Sequence, residues 1–396
     1  MNGVEAVKIA VIHPSINFCG GAEKVSLTMI DSLKRCGYHT SLITIDKTDW
    51  HRVGEVFGGY CKPNREFALI EEPYAVKAVE GIVKASTTGL RLLYFAYRSI
   101  EDFDIIVNTY GDLDLLNVLA DLAYSGLPFS ASAAYPETAP IMLRNRASQN
   151  LYKLLVKIST PIIAYRCFTI LANSSFTKRA LEKIYGSSIR VKILHPPCDV
   201  ERYGRISDIS GKGRIAVTIS RFSPGKNLEA IPWIASRTDG WKFIIVGSTT
   251  HASQRILASL KEKIRVYSLE DRVELLPNAA KSTVEKILSE ARVYIHLMRN
   301  EPFGISVVEA MAAGCIPIIH RSGGAWYDVL GCRQGYYGYG YESYSEIPRY
   351  MRAMEDDRLY VEISRRARER ARIFDTRFFR ERFIEEFTCI AELKYI

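Results

Sequence analysis

The chain has 396 residues, 47% of them apolar, and 53 Lys and Arg against 44 Asp and Glu give a formal net charge of +9. This is enough for two cores of ordinary size, so two domains are expected and a disordered or fibrous chain is excluded. No run of eighteen apolar residues occurs and Glu5 and Lys8 interrupt the N-terminus, so neither a spanning helix nor a signal peptide is expected; the chain reads as cytoplasmic, free or peripheral at the cytosolic membrane face.

Residues 7–13 read as a buried strand, followed by a loop ending in Gly20-Gly21-Ala22-Glu23 and a helix over 22–35. With the strand at 40–45 this opens a βαβ unit, whose glycines would let backbone N–H groups approach an anion at the helix N-terminus. His13, at the end of the first strand, either faces a ligand or is packed. After a strand at 104–109 comes Asp112-Leu-Asp114, the D-x-D form that many metal-dependent sugar transferases use; these aspartates read as turn and helix-cap residues. The eight cysteines show no C-x-x-C and no zinc spacing, so core thiols and no metal site are expected.

Between residues 138 and 198 ten Lys or Arg face Glu182 alone, which equals the whole excess charge. Within this stretch, 151–158 and 161–168 mix aliphatics, aromatics and cations as an interfacial helix would, or as a core-facing helix with solvated lysines does. Contact with a membrane is therefore expected through 144–168, and nucleic acid is not, because no binding module accompanies the charge. A strand at 168–172 leads into Asn173-Ser-Ser-Phe-Thr177, a helix cap and first turn, and a strand at 190–194 follows.

Residues 199–214 are polar and read as a loop, which divides the chain into α/β domains over 1–203 and 204–377. The second has strands at 215–219, 242–246, 273–276, 292–298 and 315–319, a Gly/Tyr-rich loop over 336–344, and a basic helical end. Just past its first strand lies Arg221-Phe-Ser-Pro-Gly-Lys226. There a forked guanidinium and a point-charge ammonium can clamp a diphosphate. Glu301 opens the turn Glu301-Pro-Phe-Gly304 after the fourth strand, and Glu309 lies on the helix expected over 305–313. A fully helical path would still set these carboxylates about 12 Å apart and about 80° around the axis, whereas a hydrolase pair flanks one bond at roughly 5 to 9.5 Å. The spacing suits two contacts along one long ligand such as a nucleotide sugar.

Gly20-Gly-Ala-Glu23, Asn173 to Thr177, Arg221 to Lys226, Glu301 to Glu309 and Ser322-Gly-Gly324 stand in the order and spacing of retaining glycosyltransferases of GT-B fold, the large fourth sequence family, glycosyl transferases group 1. The resemblance covers nearly the whole chain and is greatest to mannosyltransferases that extend lipid-diphosphate-linked glycans from the cytosolic side. It implies two Rossmann-like domains facing across a cleft: an acceptor-side domain over 1–203, completed by a C-terminal helix over 378–396 that crosses back, and a nucleotide-sugar domain over 204–377. It also implies that Arg221 and Lys226 hold the donor diphosphate, Glu301 the hexose and Glu309 the ribose. Backbone amides of Gly304 and Ile305 would add contacts, and Gly20 and Gly21 would let the first loop close on the phosphates.

One departure lies on the acceptor side, where Ala134 precedes Tyr135-Pro136 and relatives usually have histidine; Tyr135, Glu137 and His13 are the remaining candidates there. The expected activity is metal-independent transfer of a hexose from a nucleotide sugar, GDP-mannose first and a UDP-sugar next, to a lipid-linked or other glycan acceptor, with no cofactor. Two alternatives stay open: a sugar-nucleotide epimerase or hydrolase on the same scaffold, and a non-catalytic donor-binding partner of an active transferase.

Overall fold

A computed structural model describes residues 7–73, 82–100, 102–135, 146–206, 208–249 and 253–395. The chain divides into two compact units, Met1–Pro197 with Arg377–Ile396, and Cys198–Thr376.

Unit 1 holds a parallel sheet of β1 (Lys8–Ile12), β2 (His39–Asp46), β3 (Arg65–Ile70), β4 (Ile105–Asn108), β5 (Leu122–Ser125), β6 (Thr169–Ala172) and β7 (Val191–Ile193), in the order β3-β2-β1-β4-β5-β6-β7. Its helices are α1 (Gly21–Arg35), α2 (Trp50–Phe57), α3 (Ile82–Ser99), α4 (Arg146–Arg166) and α5 (Ser175–Tyr185). Alternate strand residues serve opposite faces, as a period of two requires. Ile9, Val11, Ile105 and Val107 pack with α1, while Ala10, Ile12 and Ile106 pack with Leu92 and Ala96 of α3.

Unit 2 holds β8 (Gly213–Ile219), β9 (Lys242–Gly247), β10 (Val273–Pro277), β11 (Ala291–His296), β12 (Ile316–His320) and β13 (Tyr339–Tyr341), in the order β10-β9-β8-β11-β12-β13. Around them lie α6 (Val200–Arg205), α7 (Ile231–Ala235), α8 (Ser253–Val266), α9 (Lys281–Glu290), α10 (Ile305–Ala312), α11 (Ile347–Ala353) and α12 (Asp357–Ala371). The last helix, α13 (Thr376–Tyr395), returns to unit 1, where Phe379, Phe383, Phe387 and Ile390 enter the core and Lys192 pairs with Glu386 at 2.7 Å. Both strand orders follow the doubly wound pattern 3-2-1-4-5-6, and in such sheets ligands bind past the carboxyl ends of the strands where the order reverses. In unit 2 that point lies between β8 and β11.

Several expectations change. The polar residues 199–214 are no linker: α6 forms within them, and Val200 and Tyr203 pack against Val307 and Met311 of α10, so the units divide at 197/198 rather than 203/204. The stretches 151–158 and 161–166 lie in one helix, α4, with Pro161 inside it, and the helix ends at Arg166 before Cys167 and Phe168. The Gly/Tyr-rich loop contains edge strand β13, which pairs with β12 although glycine gives it no alternating pattern. Of the eight free cysteines, Cys36, Cys61, Cys332 and Cys389 are exposed, so only some are core thiols.

Candidate active site

The two loops at the reversal point of unit 2 are built by close backbone approach. Gly247, at the end of β9, lies so near Ser220 that a Cβ there would sit 1.6 Å from the Ser220 carbonyl oxygen. Asn227 takes the left-handed conformation at φ 53°, which asparagine tolerates, and its Nδ2 donates to the Leu297 carbonyl at 3.1 Å, tying the loop after β8 to that after β11. Tyr294 adds a second tie: its hydroxyl donates to the Ile219 carbonyl at 3.0 Å and stands 2.7 Å from Ser306 Oγ at the start of α10.

These ties bring Lys226 and Glu301 together. Lys226 Nζ donates to Glu301 Oε2 at 2.8 Å, and His296 Nε2 donates to the same oxygen at 2.9 Å. Met298 Sδ lies 3.0 Å from the ammonium. Burial works to raise the Glu301 carboxyl, but Lys226 and His296 outweigh it and hold the group well below the usual carboxylate range. Among the described residues none donates to Oε1. The loop is clamped from behind by the Ser322-Gly-Gly324 turn: Gly324 N–H donates to the Glu301 carbonyl at 2.8 Å, and Asn300 N–H to Ser322 Oγ at 2.8 Å. Gly323 has φ +72°, and a Cβ there would meet the Glu301 backbone at 2.3 and 2.7 Å.

The other donor-side candidates surround this pair. Arg221 is exposed just beyond β8, and Glu309 is half-buried on α10. Gly304, at φ +95°, caps α10 with no side-chain acceptor; Val307 N–H turns back to the Gly304 carbonyl at 3.0 Å, which leaves the Ile305 and Ser306 amides at the helix start for an anion.

In unit 1 the picture differs. The Gly20 N–H that was expected to meet phosphate donates instead to Glu23 Oε2 at 2.6 Å, because a carboxylate in the first turn of α1 already supplies the negative charge which that helix end favours. Gly21 is the first residue of α1. His13 is fully buried, with Nδ1 2.9 Å from Thr109 Oγ1 and Nε2 3.5 Å from Glu23 Oε1, and Tyr110 packs edge-on against its ring. It is therefore a packed strand-end histidine. Tyr135 is half-buried, 4.8 Å from Phe176 ring to ring, and Ala134 is exposed. Glu137 lies outside the described residues.

The D-x-D aspartates hold loop backbone. Asp112 accepts from Ser125 Oγ and Leu127 N–H, each at 3.0 Å, and from Gly126 N–H; Asp114 accepts from Ser130 N–H at 3.0 Å and the Tyr185 hydroxyl at 2.8 Å. Burial pushes Asp112 up to about 7 and Asp114 up to about 6 against these bonds. His296 and Glu23 were not anticipated. The signal for His296 was Tyr294 two residues earlier on the same face of β11, near-parallel to it at 13° between the rings.

Two doubly wound parallel sheets, one in each unit, are the architecture of the GT-B fold. Anabaena HepE, solved in complex with UDP, superposes with a TM-score of 0.73 over 97% of this chain and 100% of its own at 18% identity. In this chain, residues 199–373 match the family glycosyl transferases group 1. Its relatives include the Mus musculus GDP-Man:Man(3)GlcNAc(2)-PP-Dol alpha-1,2-mannosyltransferase, 28% identical over 99% of this chain and 88% of that protein. The Dictyostelium discoideum enzyme of the same name is 28% identical over 96% and 84%.

Proposed function

We propose that the chain transfers mannose, with retention, from GDP-mannose to a lipid-linked glycan at the cytosolic membrane face, which it meets through residues 144–168. The observation that carries this reading is the split surroundings of Glu301: Oε2 is held by Lys226 and His296, while Oε1 takes no hydrogen bond from the described residues and is left for a hydroxyl of the donor hexose. Lys226 has N–H groups to share between Glu301 and a diphosphate. With Arg221 and the uncapped start of α10 it places positive charge where the leaving nucleotide develops negative charge, the main catalytic demand of such a transfer. We assign no metal or cofactor to this step. Glu309, further along α10, is the proposed ribose contact. The relatives named above, whose own names specify GDP-mannose and a dolichol-linked acceptor, support the choice of donor and acceptor.

The test is calorimetric titration with GDP-mannose, UDP-glucose and UDP-N-acetylglucosamine, beside Lys226→Ala. GDP-mannose is expected to bind and the variant to lose about tenfold or more in affinity, since charge-assisted bonds to phosphate are among the strong ones. Binding of a UDP-sugar alone overturns the donor assignment, and no binding to folded protein favours a non-catalytic partner.

A further inference from the structure

Exposed apolar side chains of unit 1 gather on one face of its sheet. α4 divides its apolar residues in two: Tyr152, Val156 and Ile163 point into the core, while Leu151, Leu154, Leu155, Ile158, Ile162 and Tyr165 form an outward stripe at helical spacing. The stripe is well exposed, Ile158 at 63% and Tyr165 at 91%. α3 presents two more aromatics, Tyr94 at 66% and Tyr97 at 56%, beside exposed Arg91 and Arg98. Leu113 and Val118 pack against the core clusters of both helices, which puts α3 and α4 on the same side of the sheet.

The charge is equally one-sided. Neither α3 nor α4 contains an Asp or Glu, while three cations lie in the first and four in the second. On the opposite face, α1 carries Glu23 and Asp31, and α13 carries Glu381, Glu385, Glu386 and Glu392 among its arginines. A helix face made for water mixes both signs. An apolar stripe bordered only by cations, with tyrosines at its edge, matches the boundary between headgroups and acyl chains of an anionic bilayer. We propose that unit 1 docks on an anionic lipid surface through α3 and α4 together, the α4 stripe entering the headgroup boundary and the α3 tyrosines and arginines resting beside it. This deepens the proposed function and rests on its lipid-linked acceptor. The α4 part of the stretch 144–168 becomes half of a two-helix face.

The experiment is flotation of the full chain with phosphatidylcholine vesicles and with vesicles that also contain phosphatidylserine. Two variants accompany it, Ile158→Ser/Ile162→Ser and Tyr94→Ser/Tyr97→Ser, all at exposed positions. Recovery is expected on the anionic vesicles and to fall as salt is raised; each variant is expected to lose about tenfold in partitioning, since the side chains removed are similarly exposed. Equal recovery on both vesicle types overturns the anionic surface, an unchanged α3 variant overturns the two-helix face, and no flotation together with self-association by sedimentation assigns the face to a second copy of the chain. Calorimetry with GDP-mannose on the same samples keeps the two readings apart. Donor binding without flotation fails the docking alone, and flotation without donor binding fails the transferase reading alone; donor binding by the variants shows that they are folded.

Discussion

Glu301 and His296 show how one buried residue sets another. His296 is almost wholly buried and its Nε2 is spent on Glu301, so it orients the carboxylate and does not itself reach a ligand. His296→Ala removes a charge-assisted bond of about 1.5–3 kcal/mol, so kcat is expected to fall about tenfold or more with less change in donor KM. Because His296 helps to hold Glu301 below the usual carboxylate range, the acid limb of the pH–rate profile is expected to move to higher pH. A profile shifted nowhere, with only the folding midpoint lowered, would reduce His296 to a packing residue. His296→Gln, which can still donate, is expected to recover part of the loss.

The element that holds Glu301 in place is the turn after β12. Gly323 combines a positive φ with a backbone approach that leaves no space for a Cβ, whereas Gly331, also at positive φ (+58°), has only the Arg370 guanidinium at 3.8 Å. Both alanine substitutions bear the cost of the left-handed region, about 1–2 kcal/mol. Only Gly323→Ala must also displace the Glu301 loop. Gly331→Ala is thus expected to keep its activity at a modestly lower Tm, and Gly323→Ala to lose donor affinity and activity as well. Equal activity in the two variants would show that the clamp does not position Glu301. The sequence showed Ser322-Gly-Gly324 as a motif in register with others, but its contact with Glu301 joins residues some twenty positions apart, which spacing cannot reveal.

At the scale of the whole molecule, acid acts in opposite directions on Glu301 of unit 2 and on the Asp112 and Asp114 carboxyls of unit 1. In unit 2 the Glu301 carboxyl ionises below its ordinary 4.5, so the stabilisation from its ion pair is complete above that value and is lost as the pH falls further. In unit 1, Asp112 and Asp114 ionise at about 7 and about 6, above their ordinary 3.8. The unfolded chain releases these protons first as pH rises, so their contribution weakens unit 1 between about pH 4 and 7. Denaturant unfolding followed through Trp50, the one tryptophan of unit 1, is expected to show Asp112→Asn flattening this dependence; an identical pH slope in parent and variant would remove Asp112 from the account.

Local chemistry was enough for much of this. Residues 7–13 and 292–298 read as buried strands because their apolar runs admit little else, and Pro302 and Gly304 set Glu301 on a loop ahead of a helix because neither continues one backwards. Gly20-Gly21 says that a backbone may approach but not which anion meets it; in this structure Glu23 from the same turn accepts from the Gly20 N–H. Left to the tertiary structure were β13, which glycine deprives of any alternating pattern, and α6, whose apolar residues have meaning only against α10. The two faces of α4 were likewise undecided, because a periodic apolar pattern does not say how much of a helix its neighbours will cover. The sequence could offer Lys226 and Glu301 only as separate candidates: they are seventy-five residues apart, and it is the parallel order β8-β11, with Asn227 and Tyr294 bridging the loops, that brings ammonium and carboxylate within 2.8 Å.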